Sequence, residues 1–132
     1  MSPTDAAFVR TVTVLPVADI EESVHWYRQA LGFEAVYLHT GDDDSEPTNY
    51  AILRRGDVQF HLILDEPSHR LSWTKAGAGY LYLFVRDIDA TFAEVNSRGV
   101  PIARGLQTEN WGARGFNLTD PSGNAVHVEQ VS

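Results

Sequence analysis

The chain of 132 residues is long enough for one domain with a sizeable apolar core, and 43% of its residues are hydrophobic. A formal net charge of −8 argues against nucleic-acid binding, because an acidic surface repels phosphate backbones. The absence of cysteine excludes disulfides, thiolate nucleophiles and cysteine-based zinc sites. With no long apolar run and no basic, apolar leader at Met1, we expect a cytoplasmic protein without membrane contacts.

An internal repeat organises the chain. Residues 15–20 and 83–88 share Leu, Val, Asp and Ile in the same order at an offset of 68 residues. Each segment runs from an alternating strand into a helix, with Asp19 or Asp87 at the N-cap position. Glu22 completes a capping box with Asp19 in the first copy. Apolar residues then follow at helical spacing until a glycine ends each helix, Gly32 in the first copy and Gly99 in the second.

Three short strands are predicted after each helix. In the first half they span about 34–39, 50–54 and 58–64, and in the second half about 102–107, 113–119 and 125–130. The last two strands of each half are joined by turn-forming residues, Gly56-Asp57 and Asp120-Pro121-Ser122-Gly123-Asn124. We therefore predict a single α+β domain over residues 1–132, with one module at about 8–66 and a second at about 79–131.

Alternation along the strands separates two kinds of surface. One set is apolar and suits packing against the helices: Val58, Phe60, Leu62, Leu64, Leu81, Leu83, Val85, Val126 and Val128. The opposite set mixes rings with polar groups: His61, Tyr80, Tyr82, Phe84, His127 and Glu129. Such a mixture is typical of a small-molecule cleft, while a dimer interface or an ordinary core is the alternative interpretation.

The sequence resembles the vicinal oxygen chelate superfamily, which includes glyoxalase I, extradiol dioxygenases, fosfomycin-resistance enzymes and bleomycin-resistance proteins. The resemblance covers nearly the whole chain and depends on residues 15–20, on Trp26-Tyr27-Arg28-Gln29-Ala30-Leu31-Gly32-Phe33, on residues 56–62 and on the Asp-Pro-x-Gly-Asn turn at 120–124. It implies two βαβββ modules that form an open, cupped mixed sheet with the helices on the outer face.

One stretch is most similar to the bleomycin-resistance branch. It comprises Trp111-Gly112-Ala113-Arg114-Gly115-Phe116 and the turn at 120–124, followed by His127. This resemblance implies a homodimer, with strands exchanged between subunits, that sequesters an aromatic, cationic antibiotic or metabolite without chemistry. The predicted ligand-binding residues are His61, Trp73, Tyr80, Tyr82, Phe84, Trp111, His127 and Glu129. Aromatic faces would stack on the ligand, and the acidic charge would attract it.

A metalloenzyme is the second hypothesis, since other members of the superfamily bind a metal through four strand positions. These positions correspond here to Val12, His61, Tyr80 and His127. Valine cannot ligate and tyrosine is an uncommon ligand, so we assign no catalytic residue, metal or other cofactor. If a metal such as Zn, Ni or Fe does bind, its ligands would be His61, His127 and Glu129, in a lyase, isomerase or dioxygenase of the glyoxalase type. A cofactorless reaction that uses Glu129 or His127 as a base also stays open.

Overall fold

The computed structural model describes residues 7–41, 46–66 and 75–131. A strand, a helix and three strands follow one another twice. The first series is β1 (Val14–Val17), α1 (Ile20–Leu31), β2 (Glu34–Thr40), β3 (Thr48–Arg55) and β4 (Val58–Leu64). The second is β5 (Tyr80–Val85), α2 (Ile88–Ser97), β6 (Arg104–Thr108), β7 (Arg114–Thr119) and β8 (Ala125–Gln130). Within the described residues, neither helix has the length and apolarity needed to cross a bilayer.

The strands divide into two four-stranded mixed sheets of the same topology. The first sheet has the order β1-β4-β3-β2 and the second has the order β5-β8-β7-β6. In both, the first strand of the module pairs in parallel with the last strand, and the remaining pairs are antiparallel. The prediction of an α+β fold built from two βαβββ modules is confirmed.

Each helix begins at the predicted aspartate. The Asp19 carboxylate accepts a hydrogen bond from the Glu22 backbone N–H at 2.9 Å, and Asp87 accepts one from Ala90 at 3.0 Å. The reciprocal bond of the predicted capping box, from the Glu22 side chain, is not found among the described residues. Helix α1 ends at Gly32 in the left-handed region, with φ of 73°. Helix α2 ends at Ser97, two residues before Gly99, because Arg98 takes the C-cap position.

The predicted division between strand faces is confirmed for the second sheet. Leu81 and Leu83 are buried in a core that both modules share, whereas Tyr80, Tyr82 and Phe84 on the same strand are exposed. The prediction is wrong for Val58, which is 44% exposed. Val58 is the first residue of β4, directly after the Gly56-Asp57 turn, where the strand has not yet reached the core.

The Asp-Pro-x-Gly-Asn turn joins the two modules. Asp120 and Asn124 are buried, and the Tyr27 hydroxyl donates to Asp120 at 2.9 Å. The Asn124 amide donates to the Pro16 carbonyl at 2.8 Å, and its oxygen accepts from the Gly79 N–H at 2.7 Å. This turn therefore has a structural role, because it ties α1 and β1 of the first module to β5 and β8 of the second.

Candidate functional site

A polar row crosses the second sheet on the face that points away from the shared core. Strand register places Tyr82 opposite His127, His127 opposite Asn117, and Asn117 opposite Arg104. Because every strand of the sheet contributes one residue at the same level, these side chains contact one another across β5, β8, β7 and β6. The row brings together Tyr82 and His127, two of the predicted site residues.

Aromatic rings cover one end of this row. Tyr80 and Tyr82 stack with ring centroids 6.0 Å apart, and the Phe84 ring lies 5.1 Å from that of Tyr82. Tyr80 and Phe84 are each 56% exposed and Trp111 is 63% exposed, so their apolar surface is open to a ligand. We call the surface formed by Tyr80, Tyr82, Phe84, Trp111, His127 and Glu129 the aromatic face.

The Glu129 carboxylate lies beneath these rings. Its Oε1 accepts hydrogen bonds from the Tyr82 hydroxyl at 2.6 Å and from the Trp111 indole at 3.3 Å, and it lies 3.0 Å from His127 Nε2. The hydrogen bond from Tyr82 lowers the pKa of Glu129, and those from His127 and Trp111 act in the same direction, against burial, which raises it. Glu129 is therefore ionised at neutral pH.

The same contact acts on Tyr82. Its hydrogen bond to Glu129 raises the pKa of Tyr82 to about 12, with burial as the second cause. Tyr82 is thus a neutral donor over the physiological range. Among the described residues, the hydrogen bonds to Glu129 all fall on Oε1, and Oε2 accepts none. The chemistry offered is a carboxylate anchor beside flat apolar rings.

His127 is held between two oxygen atoms. Its Nδ1 lies 2.9 Å from Asn117 Oδ1, and its Nε2 faces Glu129. Asn117 Oδ1 also accepts from Arg104 Nη2 at 3.2 Å, and the arginine in turn pairs with Glu109. This chain of contacts fixes the imidazole, which is only 2% exposed, and through it the position of Glu129.

Space for the imidazole is provided by Gly115 on β7. A Cβ at this position would lie 3.0 Å from His127 Cε1 and 2.7 Å from the Val128 carbonyl oxygen. Any larger residue would have to displace the ring or the strand. Gly115 is thus a part of the site even though it has no side chain.

A cavity of about 490 Å³ adjoins the aromatic face. Trp111, Arg114 and Glu129 line it, together with Val131 after the last strand. Its volume lies within the range usual for small-molecule pockets. The anchoring carboxylate and the most exposed ring therefore border a space that a ligand can fill.

His61 lies in the first sheet and has different partners. Its Nδ1 is 2.6 Å from the Tyr50 hydroxyl and its Nε2 is 3.3 Å from the Gln59 amide nitrogen. Burial lowers the pKa of His61, and the positive charge of Arg10 adds to the effect. None of its described hydrogen bonds reaches the aromatic face. Trp73, also predicted as a ligand contact, lies outside the described residues.

Four residues that sequence reasoning missed support the site. They are Arg104, Glu109, Gly115 and Asn117. Asn117 was detectable, because it alternates with the buried Phe116 and Leu118 and so shares the face of His127 and Glu129. Glu109 follows β6 in a loop, and no periodicity points to its contact with Arg104.

The donor set does not fit the metal site considered above. Val12 has no ligating side-chain atom, and the described hydrogen bonds of His61 run to Tyr50 and Gln59 instead of toward His127 or Glu129. Over the described residues, no three His, Asp or Glu side chains form a group that could hold a metal ion.

Comparison with known proteins agrees with this architecture. The model of the Glyoxalase/Bleomycin resistance protein/Dioxygenase superfamily matches residues 9–128. The chain belongs to this superfamily. The resemblance noted from the sequence is therefore confirmed. A search of curated proteins found no match.

Solved structures of similar fold include binding proteins and glyoxalase-related proteins. The bleomycin-binding protein of Streptomyces verticillus, complexed with copper(II)-bleomycin, is 27% identical with a TM-score of 0.73, over 96% of this chain and 99% of that one. A second bleomycin-binding protein complexed with bleomycin is 21% identical with a TM-score of 0.73, over 95% and 100% of the two chains. A glyoxalase-related enzyme from Clostridium phytofermentans is 21% identical with a TM-score of 0.74, over 96% and 98%. At 21% identity the last two similarities concern the fold alone.

Proposed function

We propose that this protein binds a flat aromatic cation on the aromatic face and sequesters it without chemistry. The observation that carries the proposal is the ionised Glu129, held beneath exposed rings with one oxygen unused by described residues. An ammonium or guanidinium group would pair with that oxygen, and the attached ring system would stack on Trp111 or Tyr80.

The distribution of charge supports a cationic ligand. The chain carries a net charge of −8, which raises the local concentration of cations around the protein. Arg114, the cationic residue among those that line the cavity, is paired with Asp89 at 3.0 Å, so its charge is balanced by a neighbouring carboxylate. Electrostatic attraction would thus act both at long range and in contact with Glu129.

A bleomycin is the first ligand to test, because a structural relative that is 27% identical is described as a bleomycin-binding protein. The ligand of that protein does not define this chain's ligand, and other flat cationic antibiotics or metabolites have the same recognisable chemistry. Sequestration of a toxic compound of this class would give antibiotic resistance. The absence of a reaction is part of the proposal, and recovery of unaltered ligand after incubation would support it.

We also propose a homodimer with exchanged strands. Phe8 is 102% exposed and Val9 is 90% exposed, and both lie in the segment before β1, which forms no strand in the single chain. Adjacent apolar side chains with this degree of exposure would be covered if the segment paired with a second copy of the chain. The Phe8→Ser/Val9→Ser double variant should shift sedimentation from dimer toward monomer. A Val36→Ser control, which alters an exposed residue of β2, should leave the dimer intact. A wild-type chain that sediments only as a monomer would contradict the proposal.

Calorimetric titration tests the binding function. Bleomycin and proflavine, a smaller planar cation, are titrated into the wild type and three variants. Glu129→Gln should weaken proflavine binding by about tenfold or more, since a charged hydrogen bond is lost. Trp111→Leu should weaken it by roughly threefold to tenfold through the loss of stacking. Tyr37→Leu alters an exposed ring outside the aromatic face and should change affinity by less than about twofold.

Two results would overturn the proposal. One is the absence of heat with either compound at ligand concentrations up to about 1 mM, where even weak complexes form. The other is equal loss of affinity in Trp111→Leu and Tyr37→Leu, which would show that exposed rings act unspecifically. Chemical alteration of the bound compound would instead refute binding without chemistry.

A further inference from the structure

A second cavity lies between the two modules, at the end of α1. Its volume is about 420 Å³. Buried apolar side chains from both modules form its walls, among them Phe33, Leu83 and Val128. Val58, which is exposed at the start of β4, lies at its border. We call this cavity the seam cleft. Its walls would favour an apolar molecule, since burial of apolar surface drives such binding.

Among the described residues, one cationic side chain, that of Arg55, lines the seam cleft. Arg55, the last residue of β3, places its Nη1 2.7 Å from the Leu31 carbonyl at the end of α1. Gly32 leaves room for this position, because a Cβ there would lie 3.2 Å from Arg55 Nη1. The guanidinium is thus held across the carboxyl end of a helix, where the helix dipole favours a positive charge.

The edge of the guanidinium that suits a carboxylate is unused by described residues. Both described contacts of Arg55, to Leu31 and at 3.5 Å to Glu94, are made by Nη1. Nε and Nη2 form the planar edge that accommodates the two oxygens of a carboxylate. Arg55 is therefore oriented by the protein and still has donors for a ligand.

The local charge also favours an anion. Glu94 is shared between Arg55 at 3.5 Å and Arg98 at 3.1 Å. Because one carboxylate serves both arginines, Glu94 does not balance the charge of Arg55 by itself, although the chain as a whole is acidic. The charged group offered to a ligand is therefore a cation at the seam cleft, whereas on the aromatic face it is a carboxylate that lies under the rings.

We propose that the seam cleft is a second binding site, specific for an apolar monocarboxylate such as a medium-chain alkanoate or an aryl carboxylate. The carboxylate pairs with the Nε/Nη2 edge of Arg55, and the apolar part lies against Leu83 and Val128. The proposal does not depend on ligand binding at the aromatic face, although Phe84 borders both sites.

Octanoate and 1-octanol, which differ mainly in charge, serve as probes. Methyl resonances of Leu83, Val85 and Val128 in the wild type should shift saturably with octanoate, and the Trp111 indole resonance should not. Arg55→Gln should weaken octanoate binding by about tenfold and leave 1-octanol binding within about twofold. The matched control is Arg54→Gln, which removes the neighbouring exposed arginine and should leave both probes unaffected.

A second variant keeps the test decisive if Arg55→Gln does not fold. Val58→Trp adds bulk at the exposed border of the cleft and should block octanoate while the protein stays folded. The proposal is overturned if octanoate fails to shift the cleft methyl groups, or if Arg54→Gln and Arg55→Gln weaken it equally. It is also overturned if octanoate shifts Trp111 instead. Proflavine binding, read at Trp111, reports separately on the aromatic face.

Discussion

Replacement of Asn124 by alanine should destabilise the whole domain, because this side chain connects the two modules. Asn124 is fully buried and donates to the Pro16 carbonyl at 2.8 Å. Its oxygen accepts from the backbone N–H groups of Gly77 at 3.1 Å and Gly79 at 2.7 Å. In Asn124→Ala these three backbone groups lose the partner, while Asp120 keeps its bond from Tyr27.

The size of the effect follows from the burial of each group. A buried polar group without a partner costs about 1–3 kcal/mol. Pro16 is buried, so we assign about 2 kcal/mol to its carbonyl. Gly77 and Gly79 are half-buried and water can replace part of each bond, so we assign about 1 kcal/mol to each. The free energy of unfolding should fall by about 4 kcal/mol, which lowers Tm by about 12 °C in a domain of this size.

Urea unfolding, followed by circular dichroism at fixed protein concentration, measures this loss. Asn96→Ala is the matched control, since Asn96 is exposed on α2 and should change stability by less than about 0.5 kcal/mol. A loss below about 1 kcal/mol in Asn124→Ala, with an unchanged slope against urea, would refute the structural role of the turn.

Three further predictions concern the strand faces. The stability that depends on neutral Tyr82 should be complete below pH 10.0 and should fall as the pH rises toward about 12. In an absorbance titration, Tyr82→Phe should lack the tyrosine that ionises near pH 12 in the wild type, and a wild type whose exposed tyrosines all ionise near 10 would contradict the prediction. The pKa of His61 is lowered in the folded state, so the stability associated with its neutral imidazole is present above pH 6.5 and is lost as the pH falls below that value. An NMR titration midpoint of the His61 ring at or above 6.5 would contradict this prediction. Gly115→Ala should displace His127 and abolish proflavine binding. The control Gly105→Ala, where a Cβ would have no heavy atom within 4 Å, should bind proflavine normally. Equal proflavine affinity of the two variants would exclude a steric role for Gly115.

Local sequence patterns predicted much of the fold. The capping aspartates, the helix-ending Gly32 and the alternation along β5 are interactions between near neighbours, which a pattern can report. The exposure of Val58 was not predictable in the same way, because it depends on where the β3–β4 hairpin lies relative to the core. Strand alternation defines a face and leaves open how far that face is covered.

The candidate site was predictable only in outline. His127 and Glu129 were assigned to the correct face, but their burial and their contacts depend on residues far along the chain. Register between β6, β7 and β8 decides that Arg104 meets Asn117, and a bulge in β6 after Arg104 changes that register. His61 occupies the corresponding strand of the first module and yet acquires different partners, because the neighbouring strands carry different residues.

The most direct test of the aromatic face is the side-chain indole N–H resonance of Trp111 during titration with bleomycin or proflavine. This N–H donates to Glu129 at 3.3 Å, so a cation on that carboxylate must alter its environment. We predict a saturable shift of Trp111, no shift of Trp26, which packs against Tyr27, and, in Glu129→Gln, a Trp111 shift that saturates only at about tenfold higher ligand concentration. Saturation with both compounds while the Trp111 resonance stays in place would contradict the assignment of the ligand site.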